Sequence, residues 1–361
     1  MKLDDGLEFY FEHESFLYAD VNGETVEQLT DQAALACDIR SIVDVMARLG
    51  AFQKGLFLPR TAAMSKQKKV RALEQECLSL LKVDFGMIKE VYPYHEFNPL
   101  LRVFTKYFSK VELRSHVYKV ELLLAEELSL LHELTEKVKQ EVQGVGFQNT
   151  LKSFCRSANK NYKSLVEYID ALFVSHARML VIRIDFTYRS KFCVPRGEKT
   201  ISHAEARMHR MALLKYLRSS KSPGVLGYAW KLEYGLDKSY HYHCLLFLNG
   251  VHHREDIVIA KLLGEYWVET VTEGKGIYYN CNKNKAAFEK KGILGVGMIS
   301  HHQTGLRAGL KLVAAYLTKP DYFIRMIAPD GGRCFGKGGK VFSKQTKRGR
   351  PRKQPDVLPS E

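Results

Sequence analysis

Two histidines one residue apart, His241 and His243, open the apolar segment HYHCLLFL. On a β-strand, side chains two apart point to the same face. The two imidazoles therefore project together and can chelate one divalent ion, while Tyr242 and Cys244 face the other way. With 13 histidines in 361 residues, chance alone supplies about half an H-x-H per chain. The neighbourhood is what gives the pair weight. Just upstream, Tyr228, Trp230, Leu232 and Tyr234 alternate with Lys231 and Glu233, and a tight turn after Tyr234 pairs the two segments as a hairpin. Two readings of Glu233 stand. It is a third ligand that leaves open positions for substrate oxygens, or a cross-strand partner of a lysine. The ligand reading leads.

A metal held by two histidines and a carboxylate polarises a phosphodiester, and strand transfer needs a nucleophile as well. Tyr316 and Lys319 in VAAYLTK lie three apart on a predicted helix. The ammonium is then placed to stabilise a phenolate or the charge developing at phosphorus. The Y-x-x-K spelling recurs at Tyr107, Tyr188 and Tyr228, but only Tyr316 falls on a helix downstream of the histidine strand. Tyr322 lies beyond Pro320, which ends or kinks that helix, so a single nucleophile is expected. The adjacent pairs His252–His253 and His301–His302 fall on loops, where solvated or phosphate-contacting side chains are the default.

The elements that must position these residues divide into two textures. Residues 26–49, 65–81, 117–142 and 148–174 carry apolar side chains at helical spacing, so the chain up to residue 175 reads as all-α. At Arg178 the texture changes. MLVIRIDF (179–186) reads as a strand, followed by a helix at 203–217, strands at 225–234 and 240–248, a helix at 254–272, a strand near 293–300 and a helix at 305–319. Such an order folds as a split βαβ sandwich, an antiparallel sheet with helices on one face and the other face open. The fold class expected is α+β: a helical region at 1–175, a sheet domain at 176–344 and a basic tail at 345–361.

Composition bounds the partners. Lys and Arg number 55 against 40 Asp and Glu, a formal charge of +15 that points to a polyanion. The charge is uneven: residues 1–60 hold eleven acids and five bases, so nucleic-acid binding belongs to the later part. Seven cysteines with no C-x-x-C pair read as reduced thiols in a cytosolic protein. The acidic start and the lack of a long apolar run argue against export or membrane insertion. From Gly331 to Lys353 there are nine bases and no acid. The stretch Lys347, Arg348, Arg350, Arg352 and Lys353 around KRGRPRK has two equal readings: an AT-hook-like segment whose arginines enter an A·T-rich minor groove, or a generic phosphate-binding tail.

Taken in order, MLVIRIDFT, WKLEYG, HYHCLLFL and YLTK resemble the three motifs of the HUH endonuclease superfamily of rolling-circle replication initiators. The likeness is greatest to the branch of inovirus-type replication proteins and prophage proteins of the YagK/YfjJ C-terminal family, and it covers roughly residues 178–344. The resemblance implies a Mg²⁺- or Mn²⁺-dependent nick at a single-stranded or melted origin, a covalent 5′-phosphotyrosine and a free 3′-hydroxyl. Carried over, the ligands are His241, His243 and Glu233, the nucleophile is Tyr316 and Lys319 is its helper. The same resemblance implies a bacterial cytoplasm, a phage, prophage or plasmid element, and a host helicase or polymerase as further partners. Motif one departs from many initiators in carrying Arg183 and Asp185. Asp185 touches metal, orients a histidine, or is structural, and the sequence does not choose. Two rival classes are a DNA-binding regulator on the same fold and an RNA-binding module, the latter requiring Trp230 and Tyr234 to face outward.

Overall fold

The computed structural model describes residues 16–21, 24–29, 32–58, 68–114, 119–193, 200–235 and 238–339. The basic tail, with Lys347, Arg348, Arg350, Arg352 and Lys353, lies outside them. Strands in chain order are β1 Phe16–Val21, β2 Glu24–Leu29, β3 His95–Phe97, β4 Arg178–Tyr188 and β5 Val225–Gly235. They continue with β6 Ser239–Asn249, β7 Gly276–Asn280, β8 Gly297–Ser300, β9 Ile324–Met326 and β10 Phe335–Lys337. The chain divides into two compact units, one from residues 31–157 with 321–325, the other from the described residues of 1–30, 158–320 and 326–361. The division falls inside the 31-residue helix Val145–Ser175, not at the 175/176 boundary expected from the change of texture.

The first unit is helical, with Gln32–Ala51, Lys68–Leu80, Phe85–Val91, Pro99–Tyr107 and Ala125–Gln143 packed through Ile39, Ile42, Met46, Leu49, Leu78, Leu101, Phe104 and Val138, all buried. Two caps fix its helix starts: the Asp84 side chain accepts from Met87 N–H and that of Asn98 from Leu100 N–H. Asn98 also donates through Nδ2 to the Tyr322 carbonyl at 2.6 Å, and β3 pairs with β9, which ties residues 321–325 into this unit. An all-α reading of everything before residue 175 is therefore too simple. β1 and β2 pair as antiparallel strands, and the helix expected from residue 26 begins at Gln32.

The second unit is built on a six-stranded sheet in the order β10-β5-β6-β4-β7, with β8 also pairing β4. Every pairing in it is antiparallel. The crossover helix His203–Leu217 separates β4 from β5 by one strand width, and β6 returns from the β5 hairpin to fill that gap. This is the split βαβ arrangement. Ser202 caps the helix by accepting from Glu205 N–H at 3.1 Å. Even-numbered positions of the three long strands, among them Ile182, Ile184, Phe186, Trp230, Leu232, Tyr242, Cys244 and Leu246, form one apolar face. They pack on Ala206, Leu213, Ala260, Leu263 and Trp267 of the two helical segments that cover that face. Trp230 and Tyr234 thus lie in the core, and the outward-facing aromatics that an RNA-binding sheet needs are not these.

Three sequence expectations change here. The second face of the sheet is not open. Val181, Ala229, Leu245 and Phe247 make it apolar too, and all are fully buried. Tyr168 of the long helix meets Phe247 edge-on at 6.4 Å, and Tyr316 packs over the charged end of the same face. A strand, β7, fills 276–280 where none was expected, and only Gly297–Ser300 of the expected 293–300 is strand. The helix expected to reach Lys319 is Thr304–Tyr316, because Pro320 lacks an N–H to continue it and disfavours helical backbone at Lys319. No helix among the described residues is long and apolar enough to cross a membrane.

Candidate active site

β6 meets β5 in a register that sets Glu233 opposite His241 and Lys231 opposite His243. On its other edge β6 meets β4 with Asp185 opposite His243. The pleat then gathers Glu233, His241, His243, Asp185, Lys231 and Arg183 on one face. His241 is 5 % exposed and His243 2 %, so each ring needs polar partners, and its surroundings supply them. The Nδ1 of His241 is 3.1 Å from the carbonyl oxygen of Ser239, a residue held in left-handed backbone at φ +55° at the start of the strand. The Nδ1 of His243 is 2.9 Å from Asp185 Oδ1. With both Nδ1 atoms engaged by oxygens, both Nε2 atoms turn to Glu233 Oε2, at 3.8 Å for His241 and 3.4 Å for His243.

This arrangement fits a metal ion. Ligand atoms of Glu233, His241 and His243 all lie within 4.8 Å of one another, the one such group among the described residues. Two ligands bound at about 2.1 Å on a tetrahedral or octahedral ion stand roughly 3–3.5 Å apart, so small side-chain movements close the site. Metal-binding histidines characteristically pass their other ring nitrogen to a carbonyl or carboxylate, which sets tautomer and ring orientation. Ser239 and Asp185 occupy those two places. Glu233 faces both imidazoles, which favours the ligand reading over the lysine-partner one. Asp185 sits behind His243, which favours orientation over direct ligation.

Tyr316, the last residue of its helix, is 6 % exposed. Its ring stands perpendicular to that of His243 at a centroid distance of 5.7 Å. The helix comes this close because Gly309 and Gly295 remove side chains between the backbones: a Cβ on Gly309 would lie 1.9 Å from the Leu294 carbonyl oxygen. A narrow cleft runs between Arg183, Tyr316 and the apolar Phe288, Ile293, Val296 and Leu312. Lys319 lies three residues past the helix end, its Nζ 4.8 Å over the ring of Tyr162. The cation stacked on Tyr316 is Arg183, whose Cζ is 3.6 Å from the ring centroid. The sequence singled out Arg183 only as a departure from pattern.

The other tyrosines sort themselves by location. Tyr188 and Tyr242 belong to the opposite, apolar face, where burial pushes both phenols well up. Tyr228 lies on that face too and is hydrogen-bonded by Arg218 at 3.1 Å. Tyr107 donates to Glu141 within the helical unit at 2.7 Å. Tyr322 belongs to that unit as well, its phenol pushed up to about 12 by burial. Cys244 alternates with the histidines on β6, and burial together with the Asp185 charge pushes its thiol up.

One residue that sequence reasoning passed over completes the site's support. β4 pairs β8 through Val181 and β7 from Ile184 onward, which leaves a break in the edge between them. The side chain of Asn282, fully buried, fills it. Its Oδ1 accepts from Arg183 N–H at 2.9 Å, and its Nδ2 donates to the Val181 carbonyl at 3.0 Å and to Asp256 Oδ2 at 2.7 Å. The amide imitates a paired strand residue at the break in this edge of β4, beside Arg183. No motif in YYNCNKN marks it.

A family model described as the YagK/YfjJ C-terminal domain matches residues 147–338, a span that holds β4, β5, β6 and the helix of Tyr316. No curated protein and no solved structure matches the chain. With more than half of its residues under that model, the chain belongs to the YagK/YfjJ C-terminal domain family.

Proposed function

We propose that this chain is a metal-dependent DNA nickase and strand transferase of the HUH type, which cuts one strand at a replication origin and stays attached through Tyr316. One observation carries the reading: His241 and His243 have their Nδ1 atoms engaged and their Nε2 atoms directed at Glu233, with the Tyr316 ring against His243. Mg²⁺ or Mn²⁺ held by Glu233, His241 and His243 would supply Lewis-acid polarisation of the scissile phosphate. The chain itself supplies the rest. Tyr316 offers its phenol oxygen to phosphorus, forming the tyrosyl–phosphate bond as the P–O3′ bond breaks. The phenol proton passes to solvent, and the departing 3′ oxygen gains one to become the hydroxyl that primes synthesis. The formal charge of +15 favours a polyanion over the surface.

A second reading, a DNA-binding regulator that uses the fold without the chemistry, draws on the burial of the same side chains. With Tyr316 only 6 % exposed, a phosphate reaches it through the cleft beside Arg183 or after a local opening. Adduct formation separates the two. Incubated with Mn²⁺ and single-stranded oligonucleotides tiled across its own replicon, the protein should form a covalent 5′ adduct visible on a denaturing gel. Tyr316→Phe should abolish it, as should a chelator. An adduct that survives Tyr316→Phe removes the assigned nucleophile, and no adduct with any tile favours the regulator.

A further inference from the structure

Motif one of this chain places two charged residues, Arg183 and Asp185, on the face of β4 that carries the histidines. They form a buried chain of short contacts. Asp185 Oδ1 is 2.9 Å from His243 Nδ1, and its other oxygen, Oδ2, is 3.5 Å from Arg183 Nη2. The guanidinium then stacks on Tyr316 at 3.6 Å. Arg183 is only 3 % exposed, and its backbone N–H is held by Asn282, so the strand that carries it is fixed at that point. Tyr316 is a terminal helix residue followed by a proline-directed break, where a tyrosine ring would otherwise have rotamer freedom.

We propose that Arg183 is the positioning residue for Tyr316: its guanidinium plane holds the phenol ring against the metal cluster, while Asp185, between the guanidinium and His243, serves the histidine. The proposal rests on the nickase reading for its catalytic consequence, but not for the geometry. Arginine suits the task because its planar, permanently charged group stacks on an aromatic face while still engaging a carboxylate, which an ammonium cannot do in the same way. Lys319, spaced from Tyr316 as a helper would be, is engaged over Tyr162 instead. Arg183 acts through the tyrosine. Its loss should therefore reduce turnover without weakening metal or oligonucleotide binding.

The test uses the full chain with 3-fluorotyrosine placed at position 316 and Mn²⁺ as the probe. Paramagnetic broadening of the ¹⁹F line falls steeply with distance, so it reports whether the ring stays at the cluster. In the parent protein, stoichiometric Mn²⁺ should broaden the line strongly. Arg183→Met should cut the paramagnetic relaxation rate of the line several-fold while the Mn²⁺ dissociation constant stays within about twofold, and kcat for nicking should fall about 100-fold with KM nearly unchanged, the scale of a misplaced reacting group. Arg183→Lys keeps the charge without the plane and should lose about tenfold in kcat. If Arg183→Met does not fold by circular dichroism, Arg183→Lys decides alone. Parental broadening and kcat in the folded variants overturn the proposal, as does an absence of Mn²⁺ broadening in the parent. A reduced relaxation rate in the variants when even the parent fails to nick DNA supports the positioning role and removes the nickase reading.

Discussion

Replacing Asn282 by Ala should loosen the middle of β4, and the size of the effect follows from what the amide does. Its side chain satisfies one backbone donor, Arg183 N–H, and one backbone acceptor, the Val181 carbonyl, and also donates to Asp256. All of this takes place at a fully buried position. Asp256 keeps Lys285 Nζ at 2.8 Å, so its loss is partial. The two backbone groups have no other strand beside them, because β8 and β7 stop on either side. Each buried group left unsatisfied costs about 1–3 kcal/mol, so the pair should cost about 2–4 kcal/mol after water enters the space left by the amide. With two units in the chain, global unfolding is a poor readout, since a two-state treatment need not hold. Hydrogen exchange read by mass spectrometry on the peptide spanning 179–186 is local. A loss of about 2–4 kcal/mol should accelerate its slow amides roughly 30- to 1,000-fold. Asn282→Asp should not rescue them: a carboxylate still accepts from Arg183 but turns lone pairs toward the Val181 oxygen and Asp256. Exchange within about threefold of the parent in Asn282→Ala would refute the idea that this side chain completes the sheet edge.

Two further outcomes are expected. Asp185→Asn removes the charge behind His243 Nδ1 and should weaken Mn²⁺ binding by about 10- to 100-fold, measured by calorimetry; an unchanged affinity would make Asp185 merely structural. Deleting residues 345–361 removes Lys347, Arg348, Arg350, Arg352 and Lys353 and should flatten the log–log salt dependence of duplex binding by about 0.9 for each phosphate that is no longer neutralised. A larger drop in affinity on A·T-rich than on G·C-rich duplex would mark the AT-hook-like mode, and an equal drop the electrostatic one.

The long strands were legible because their residues carry the pattern locally. MLVIRIDF and HYHCLLFL are too rich in branched and aromatic side chains to be anything but buried strands, and the alternation of Tyr228, Trp230, Leu232 and Tyr234 with Lys231 and Glu233 assigned the faces of β5. The H-x-H spacing by itself put two imidazoles on one side. Glu233 followed from the tight turn, since a hairpin's register is set by its turn. The change of texture near residue 175 marks where the long helix ends and β4 begins, but the two compact units divide within that helix, because helical periodicity does not say which core a given turn will pack against.

What the sequence could not decide are the relations made across the sheet. β7 is five residues long, too short to register as a period, and becomes a strand only because the edge of β4 is there to pair with. The closed second face depends on what packs over it, which no local pattern encodes. Asn282 lies about a hundred residues from the backbone groups it completes, and Arg183 meets Tyr316 from more than a hundred residues away. Spacing within one helix suggested Lys319 as the cation for Tyr316, since neighbours three apart share a face. Pro320 ended that helix at Tyr316, and the tertiary fold brought Arg183 to the ring instead. Residue types and local periodicity chose the chemistry available to this chain. Which side chains act together was decided by the registers of β4, β5 and β6 and by the close approach of one helix at Gly309, because contacts between distant segments are set by packing and not by spacing along the chain.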